Sequence, residues 1–157
     1  MPHTRQTLEK MAGEIFELYR LIAIARSRRP SGHDDLSETE FLALDILYHE
    51  QPLTIGDIQK HIGVLPAQMS RIVRALEEQG GRGYVACGIN PHDRRRVDVS
   101  LTPAGKKAYE NYRVVRLGSM HEILSVLSPD DRLHFMRILR QIQVAFAARI
   151  NIDKNTA

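Results

Sequence analysis

Hydrophobic positions along this chain recur at helical spacing in two outer stretches and switch to alternation only once, near the middle. From Thr4 to about Arg29 there is no proline and one glycine, and Met11, Ile15, Leu18, Tyr19, Ile22 and Ala25 recur at steps of three and four. That period predicts an amphipathic helix. Arg28-Arg29-Pro30-Ser31-Gly32-His33 breaks it, because Pro30 disfavours helical geometry at the residue before it. A second helix is predicted from Ser37, whose spacing to Glu40 is that of a capping box, through the apolar Phe41–Tyr48 run. A short third helix runs from the N-cap Thr54 to Ile62, with Ile55, Ile58 and Ile62 inward and Gly63 at the left-handed C-terminal position.

Only Gly63-Val64-Leu65 separates that helix from the next, which opens with Pro66 in its first turn. Met69, Ile72, Val73 and Leu76 are its predicted buried stripe, and Ala67, Gln68, Ser70, Arg71, Arg74 and Glu78 lie outside. Two helices joined so tightly form a helix-turn-helix. Gly80-Gly81-Arg82-Gly83 ends the second one. Tyr84–Ile89 and Arg96–Leu101 then read as strands, the second with Val97, Val99 and Leu101 inward, and Asn90-Pro91-His92-Asp93 between them is turn chemistry. A hairpin directly after a helix-turn-helix is a wing. Thr102-Pro103 restarts helix to about Val126, with Ala108, Tyr112, Val115, Ile123 and Leu127 near its inward face. Ser128-Pro129-Asp130-Asp131 starts a last helix bearing Leu133, Met136, Leu139, Ile142 and Phe146. The expected fold is mainly α: a winged helix-turn-helix core over 36–101, a small β-hairpin wing, and additional helices over 4–29 and 102–150 within a single domain, 1–157.

Composition narrows the function class. Hydrophobic residues are 43% and charged residues 26%, enough to fold a domain of 157 residues. Cys87 stands alone, which excludes an intramolecular disulfide and a four-cysteine zinc site. The polar first residues carry no signal-peptide pattern, and the longest apolar run, Leu21–Ala25, is far short of the ~20 residues that span a bilayer. A cytoplasmic protein without a membrane partner is expected. The net charge of +3 says little by itself, because clustering matters more than the sum.

The charge is clustered. Between Arg71 and Arg96 there are six arginines, no lysine, and three acidic residues: Glu77, Glu78 and Asp93. An arginine fork can bridge guanine O6 and N7, clamp a phosphate or enter a narrow minor groove. Ala67, Gln68, Ser70, Arg71 and Arg74 on the helix, with Arg94, Arg95 and Arg96 on the hairpin, are therefore the candidate DNA-binding residues. Asp93 cannot neutralise three arginines, so it is expected to pair with and orient one of them.

Other chemistries find less support. The seven histidines are scattered without ligand spacing, so no metal is expected. No nucleophile elbow, P-loop, dinucleotide fingerprint or metalloprotease spacing is present, so neither an enzyme nor a cofactor is expected. Two alternatives stay open. Cys87 is a candidate redox sensor if neighbouring arginines lower its pKa, and a helical protein–protein adaptor would need no DNA at all.

The stretch from Leu36-Ser37 to Leu101-Thr102-Pro103-Ala104-Gly105 resembles the MarR (multiple antibiotic resistance regulator) family. The likeness is carried by Arg74-Ala75-Leu76-Glu77-Glu78-Gln79-Gly80, by Asn90-Pro91-His92-Asp93-Arg94-Arg95, and by Val99-Ser100-Leu101-Thr102-Pro103-Ala104-Gly105. It implies a homodimer with interlocking terminal helices, reading a pseudo-palindromic double-stranded operator with recognition helices about 34 Å apart. It also implies an Asp93–Arg95 partnership with Arg95 in the minor groove, and a repressor released by a small aromatic or acidic effector. Relative to that pattern, Gly80-Gly81-Arg82 is a short insertion, and Cys87 replaces a common basic residue.

Overall fold

The computed structural model describes residues 2–28, 36–78 and 83–154. The predicted break over 29–33 and the insertion over 80–82 lie outside them. Among the described residues there are six helices and three strands, in the order α1 (Pro2–Ser27), α2 (Glu38–His49), β1 (Leu53–Thr54), α3 (Ile55–Ile62), α4 (Pro66–Glu78), β2 (Val85–Ile89), β3 (Val97–Leu101), α5 (Pro103–Leu124) and α6 (Pro129–Lys154). The chain divides into two compact units, 1–35 and 36–157. The first consists of α1, whose Leu8, Ile15, Phe16 and Tyr19 are exposed.

In the second unit the caps form as their residue types require. Ser37 Oγ accepts the amide of Glu40 while the Glu40 carboxylate accepts that of Ser37, closing the box that starts α2. Thr54 and Asp57 close a second box at α3. Gly63 ends α3 at φ 79°, a left-handed conformation that costs other residue types about 1 kcal/mol or more. Thr102 caps α5 through the amide of Gly105, and Ser128 caps α6 through that of Asp131.

The core gathers Leu36, Ala43, Leu44 and Leu47 with Ile58 of α3, Met69, Val73 and Leu76 of α4, Val85 and Val99 of the sheet, and Ala108 and Tyr109 of α5. Every contributing element buries one stripe or face, as a single hydrophobic centre demands. Ile72 is only half-buried, so the α4 stripe is narrower than the four residues its period suggested.

The sheet has a strand that the hydrophobic pattern did not announce. β1, two residues long, pairs antiparallel with β3 (Leu53↔Val99, Thr54↔Asp98), and β3 pairs with β2 (Val85↔Leu101, Cys87↔Val99, Ile89↔Val97), giving the order β1-β3-β2. Two residues carry no period, which is why alternation could not reveal it. Along β3, Val99 is fully buried and Leu101 half-buried, but Val97 is exposed, contrary to its expected inward position: it stands where the hairpin has already left the core. The same correction applies to the outer half of α5, where Val115 and Ile123 are exposed rather than inward, and the apolar stripe of α6, with Leu133, Met136, Ile142 and Phe146, is exposed as well.

Candidate nucleic-acid interface

α4 separates two chemistries around its circumference. Met69, Val73 and Leu76 face the core, and Ala67, Gln68, Arg71 and Arg74 are exposed. Ser70 is half-buried and its hydroxyl donates to the Pro66 carbonyl at 3.0 Å, so its hydrogen is already committed within the helix. The outward face thus offers one amide and two guanidinium groups on a cylinder narrow enough for a major groove roughly 12 Å wide. The turn into this helix is tied down as well, because Gln59 of α3 donates to the Val64 carbonyl at 2.7 Å.

The hairpin tip is organised by a residue that motif reading took only as turn chemistry. Asn90 Oδ1 accepts the amides of His92 (2.8 Å) and Asp93 (2.9 Å). Its Nδ2 donates to Asp98 Oδ2 at 2.8 Å, and its backbone N–H donates to the Arg96 carbonyl at 2.9 Å. One side chain therefore fixes both strands and the loop between them, as Asx turns do.

Asp93 plays a different part from the one expected. Its carboxylate accepts the backbone N–H of Arg95 at 3.0 Å, and it makes no ion pair among the described residues. The carboxylate shapes the turn instead of neutralising a guanidinium, because two residues of separation bring a backbone amide to Asp93 before any arginine head can fold back. Arg94, Arg95 and Arg96 are all exposed. The arginine that does find a carboxylate is Arg96, and its partner is Asp57 of α3, Nη2 to Oδ2 at 3.3 Å. Asp57 is silent in the sequence, since no short-range spacing links it to a residue 39 positions away.

Hydrogen bonding from Thr54 holds the Asp57 carboxyl below its usual range. Partial burial opposes that shift, and the charges of Arg96 and Lys60 add to it. Between α3 and the hairpin lies an open groove of about 600 Å³ lined by Thr54, Gly56, Asp57, Lys60, Arg95 and Arg96, among others.

Cys87 lies mid-strand on β2, half-buried. Burial first, then a hydrogen bond to Glu77 and the negative charge of that residue, together push its thiol up to about 11. The idea of an arginine-activated thiolate is thereby corrected: the dominant neighbour is acidic, and the reactive form is disfavoured at neutral pH. Among the described residues no three His, Cys, Asp or Glu side chains gather as metal ligands, and no helix is long and apolar enough to cross a membrane.

A second concavity, a cleft of about 470 Å³, is lined by Tyr48, Gln51, Leu101, Thr102, Pro103 and Lys106, where the end of α2 meets the start of α5. The Lys106 ammonium sits 5.7 Å from the Tyr48 ring centroid, and Gln51 Oε1 accepts the Leu101 amide at 2.8 Å.

A helix-turn-helix followed by a three-stranded hairpin sheet defines a winged-helix protein. The MarR family model matches residues 36–97. Over 105 residues the chain is 30% identical to the uncharacterized HTH-type transcriptional regulator YcgE of Bacillus subtilis (strain 168), a match covering 67% of this chain and 66% of that protein. The chain spans just under two thirds of the length of such curated relatives. Among solved structures, YusO from Bacillus subtilis superposes with a TM-score of 0.71 at 21% identity, covering 89% of this chain and 96% of that one. Streptococcus pneumoniae FabT in complex with DNA also superposes at 0.71, with 16% identity and coverage of 89% and 97%. Residues 36–97 therefore form a MarR-family winged-helix region, and the chain is similar to HTH-type transcriptional regulators.

Proposed function

We propose that this protein is a sequence-specific double-stranded DNA-binding repressor that works in the cytoplasm as a homodimer and is released from its operator by a small aromatic or acidic effector. The observation that carries the reading is the hairpin tip. Asn90 and Asp93 spend their polar atoms on backbone amides, which leaves the guanidinium groups of Arg94 and Arg95 projecting and unneutralised. Surface charge so arranged is worth little to stability and much to a polyanion.

In this reading Gln68, Arg71 and Arg74 meet base edges or flanking phosphates in the major groove, with Ala67 and Ser70 packed against the same groove, and Arg95 enters the minor groove. The MarR-family match and the DNA-bound state of FabT support the assignment. The homodimer is supported by the exposed apolar side chains of α1, α5 and α6, the helices assigned to dimerisation over 4–29 and 102–150. For the effector, the Tyr48–Lys106 cleft joins an aromatic face to a cation, which suits a ring bearing a carboxylate.

The test is titration of the protein's own promoter fragment by fluorescence anisotropy across salt concentrations. Affinity is expected to fall steeply with salt, and Arg95→Ala to weaken binding at least tenfold, about 1.4 kcal/mol, without loss of thermal stability. Absent or salt-insensitive binding to all duplex DNA would favour a helical protein–protein adaptor instead.

A further inference from the structure

We propose that Asp57 is a positioning residue for the wing: its carboxylate tethers Arg96 to the capped start of α3, so that Arg96 aims the hairpin while Arg94 and Arg95 remain for the nucleic acid. The inference rests on the reading of the wing as a DNA-contacting element.

The tether follows from register. β1 ends at Thr54, which is the N-cap of α3 and lies opposite Asp98 in β3. Asp57 is one turn into α3, and Arg96 is one residue before β3 begins. The β1–β3 pairing therefore delivers the two side chains to the same end of the sheet. There a single oxygen, Asp57 Oδ2, accepts from the Thr54 amide (3.2 Å), the Thr54 hydroxyl (2.5 Å) and Arg96 Nη2 (3.3 Å). The cap holds the carboxylate in one orientation before the arginine arrives, which lowers the entropy that an exposed pair ordinarily loses.

Chemistry favours this division of labour among the three arginines. Arg96 is the one with an ion-pair partner among the described residues, and that partner belongs to the helix-turn-helix. The backbone pairing that brings the hairpin to the start of α3 is the short β1. A two-residue strand fixes where the hairpin starts but leaves its tip free to swing, and a contact at Arg96 acts close to the tip. Because both side chains stay partly exposed, the coupling is modest, corresponding to no more than about fivefold in an equilibrium. That suffices to bias a wing angle and adds little to global stability.

The experiment compares Asp57→Asn, Arg96→Ala, their double variant and Thr54→Ala with the wild-type protein in two measurements. The first, without DNA, is amide hydrogen exchange at Asn90 and Arg96, whose N–H groups hold the hairpin closed. Asp57→Asn and Arg96→Ala should each speed exchange by about two- to fivefold, and the double variant no further. Thr54→Ala removes the hydroxyl that orients the carboxylate but keeps both charges of the tether, so it should speed exchange at those amides less than either tether variant does. The second is operator affinity as a function of salt. The two tether variants should weaken binding by the same factor as each other without changing the slope, whereas Arg94→Ala should lower the slope by about 0.9 for each phosphate that it ceases to neutralise. Unchanged wing exchange in both single variants overturns the tether. So does a fall in salt slope with Arg96→Ala, which would make Arg96 itself a phosphate ligand. If Arg94→Ala and Arg95→Ala leave affinity intact, the wing reading fails instead, while hydrogen exchange still decides the tether.

Discussion

The hydroxyl of Tyr109 on α5 donates to Asp45 on α2 at 2.6 Å, from a side chain whose ring lies fully inside the core. Tyr109 is flanked by Phe41, stacked at 5.6 Å, and Tyr48 at 4.5 Å, so this one residue joins α5 to α2 by both packing and polarity. Its position matters because α5 follows directly from the last wing strand.

Tyr109→Phe should keep the packing and lose the hydrogen bond. We expect a loss of about 1 kcal/mol in urea unfolding, against about 3–5 kcal/mol for Tyr109→Ala, which also leaves a cavity. The pH dependence provides a second measurement. Burial, with Asp45 adding to it, pushes the Tyr109 phenol up to about 12 from an ordinary value near 10. The folded state therefore holds this proton more tightly than the unfolded state. Its contribution is fully present below pH ~10 and is lost as pH rises through about 12. Tyr109→Phe should flatten that part of the alkaline stability curve, and an unchanged curve would show that the phenol is not what titrates.

Gly105 is expected to tolerate no side chain at all. A Cβ there would stand 1.9 Å from the Tyr84 carbonyl oxygen and 2.9 Å from the Leu101 side chain. Alanine inside a helix is normally better than glycine by about 1 kcal/mol. At this position the sign reverses, because the obstacle is backbone that the Thr102 amide also binds, at 3.1 Å. Gly105→Ala should destabilise by about 3 kcal/mol, the upper end of overpacking costs, measured by thermal or urea melts. A stabilised variant would mean that α5 and the start of β2 separate more easily than this geometry implies.

How far the chain could be read in advance depends on the range of each interaction. Capping residues act over three positions, so Ser37, Thr54, Thr102 and Ser128 announce their helices, and all four caps form. Periodicity acts over a few turns and locates α2 through α4 and the hairpin. It cannot say what covers a stripe: Val115 and Ile123 in the outer half of α5, read as inward-facing, are exposed, and so is the stripe of α6. Links that join distant positions were invisible. Asp57 meets Arg96, Asn90 meets Asp98 and Tyr109 meets Asp45 only once the β1–β3 register and the α2–α5 packing exist. The arginines of the candidate interface were legible because composition and turn chemistry are local. Of the carboxylates that organise them, Asp93 was legible for the same reason, whereas Asp57 and Asp98 were not.

For Cys87 the structure disfavours the redox alternative, and this can be measured. With its thiol pushed up to about 11 by burial and by Glu77, very little thiolate exists at neutral pH. Alkylation by iodoacetamide at pH ~7.5 should run at least tenfold slower than for an unshifted thiol near 8.5, following the smaller thiolate fraction. Cys87→Ser should bind operator as the wild type does, with and without peroxide. A peroxide response that vanishes in Cys87→Ser would restore the redox reading. Glu77→Gln should speed alkylation, since it removes the charge that opposes ionisation.

The outer helices supply the sharpest test of assembly. Ile123 on α5 is 52% exposed and Phe146 on α6 is 64% exposed, with Val115, Leu117, Met136 and Ile142 exposed on the same two helices. Apolar area on this scale, left in water, disfavours a free monomer, at roughly 25 cal/mol for each Å² that a second copy could cover. Neither residue belongs to the core of the single chain, so a charge introduced there should damage association and leave the fold of the winged module unharmed. Ile123→Lys and Phe146→Lys are therefore expected to sediment as monomers at concentrations where the wild type sediments as a dimer. Both should retain the cooperative unfolding of the core, and both should bind a full operator more weakly than a single half-site loss would explain, because two wings no longer act from one body. A wild-type protein that is monomeric at micromolar concentration would remove the homodimer from the proposed function. A variant that unfolds outright would show instead that these side chains complete a core within one chain.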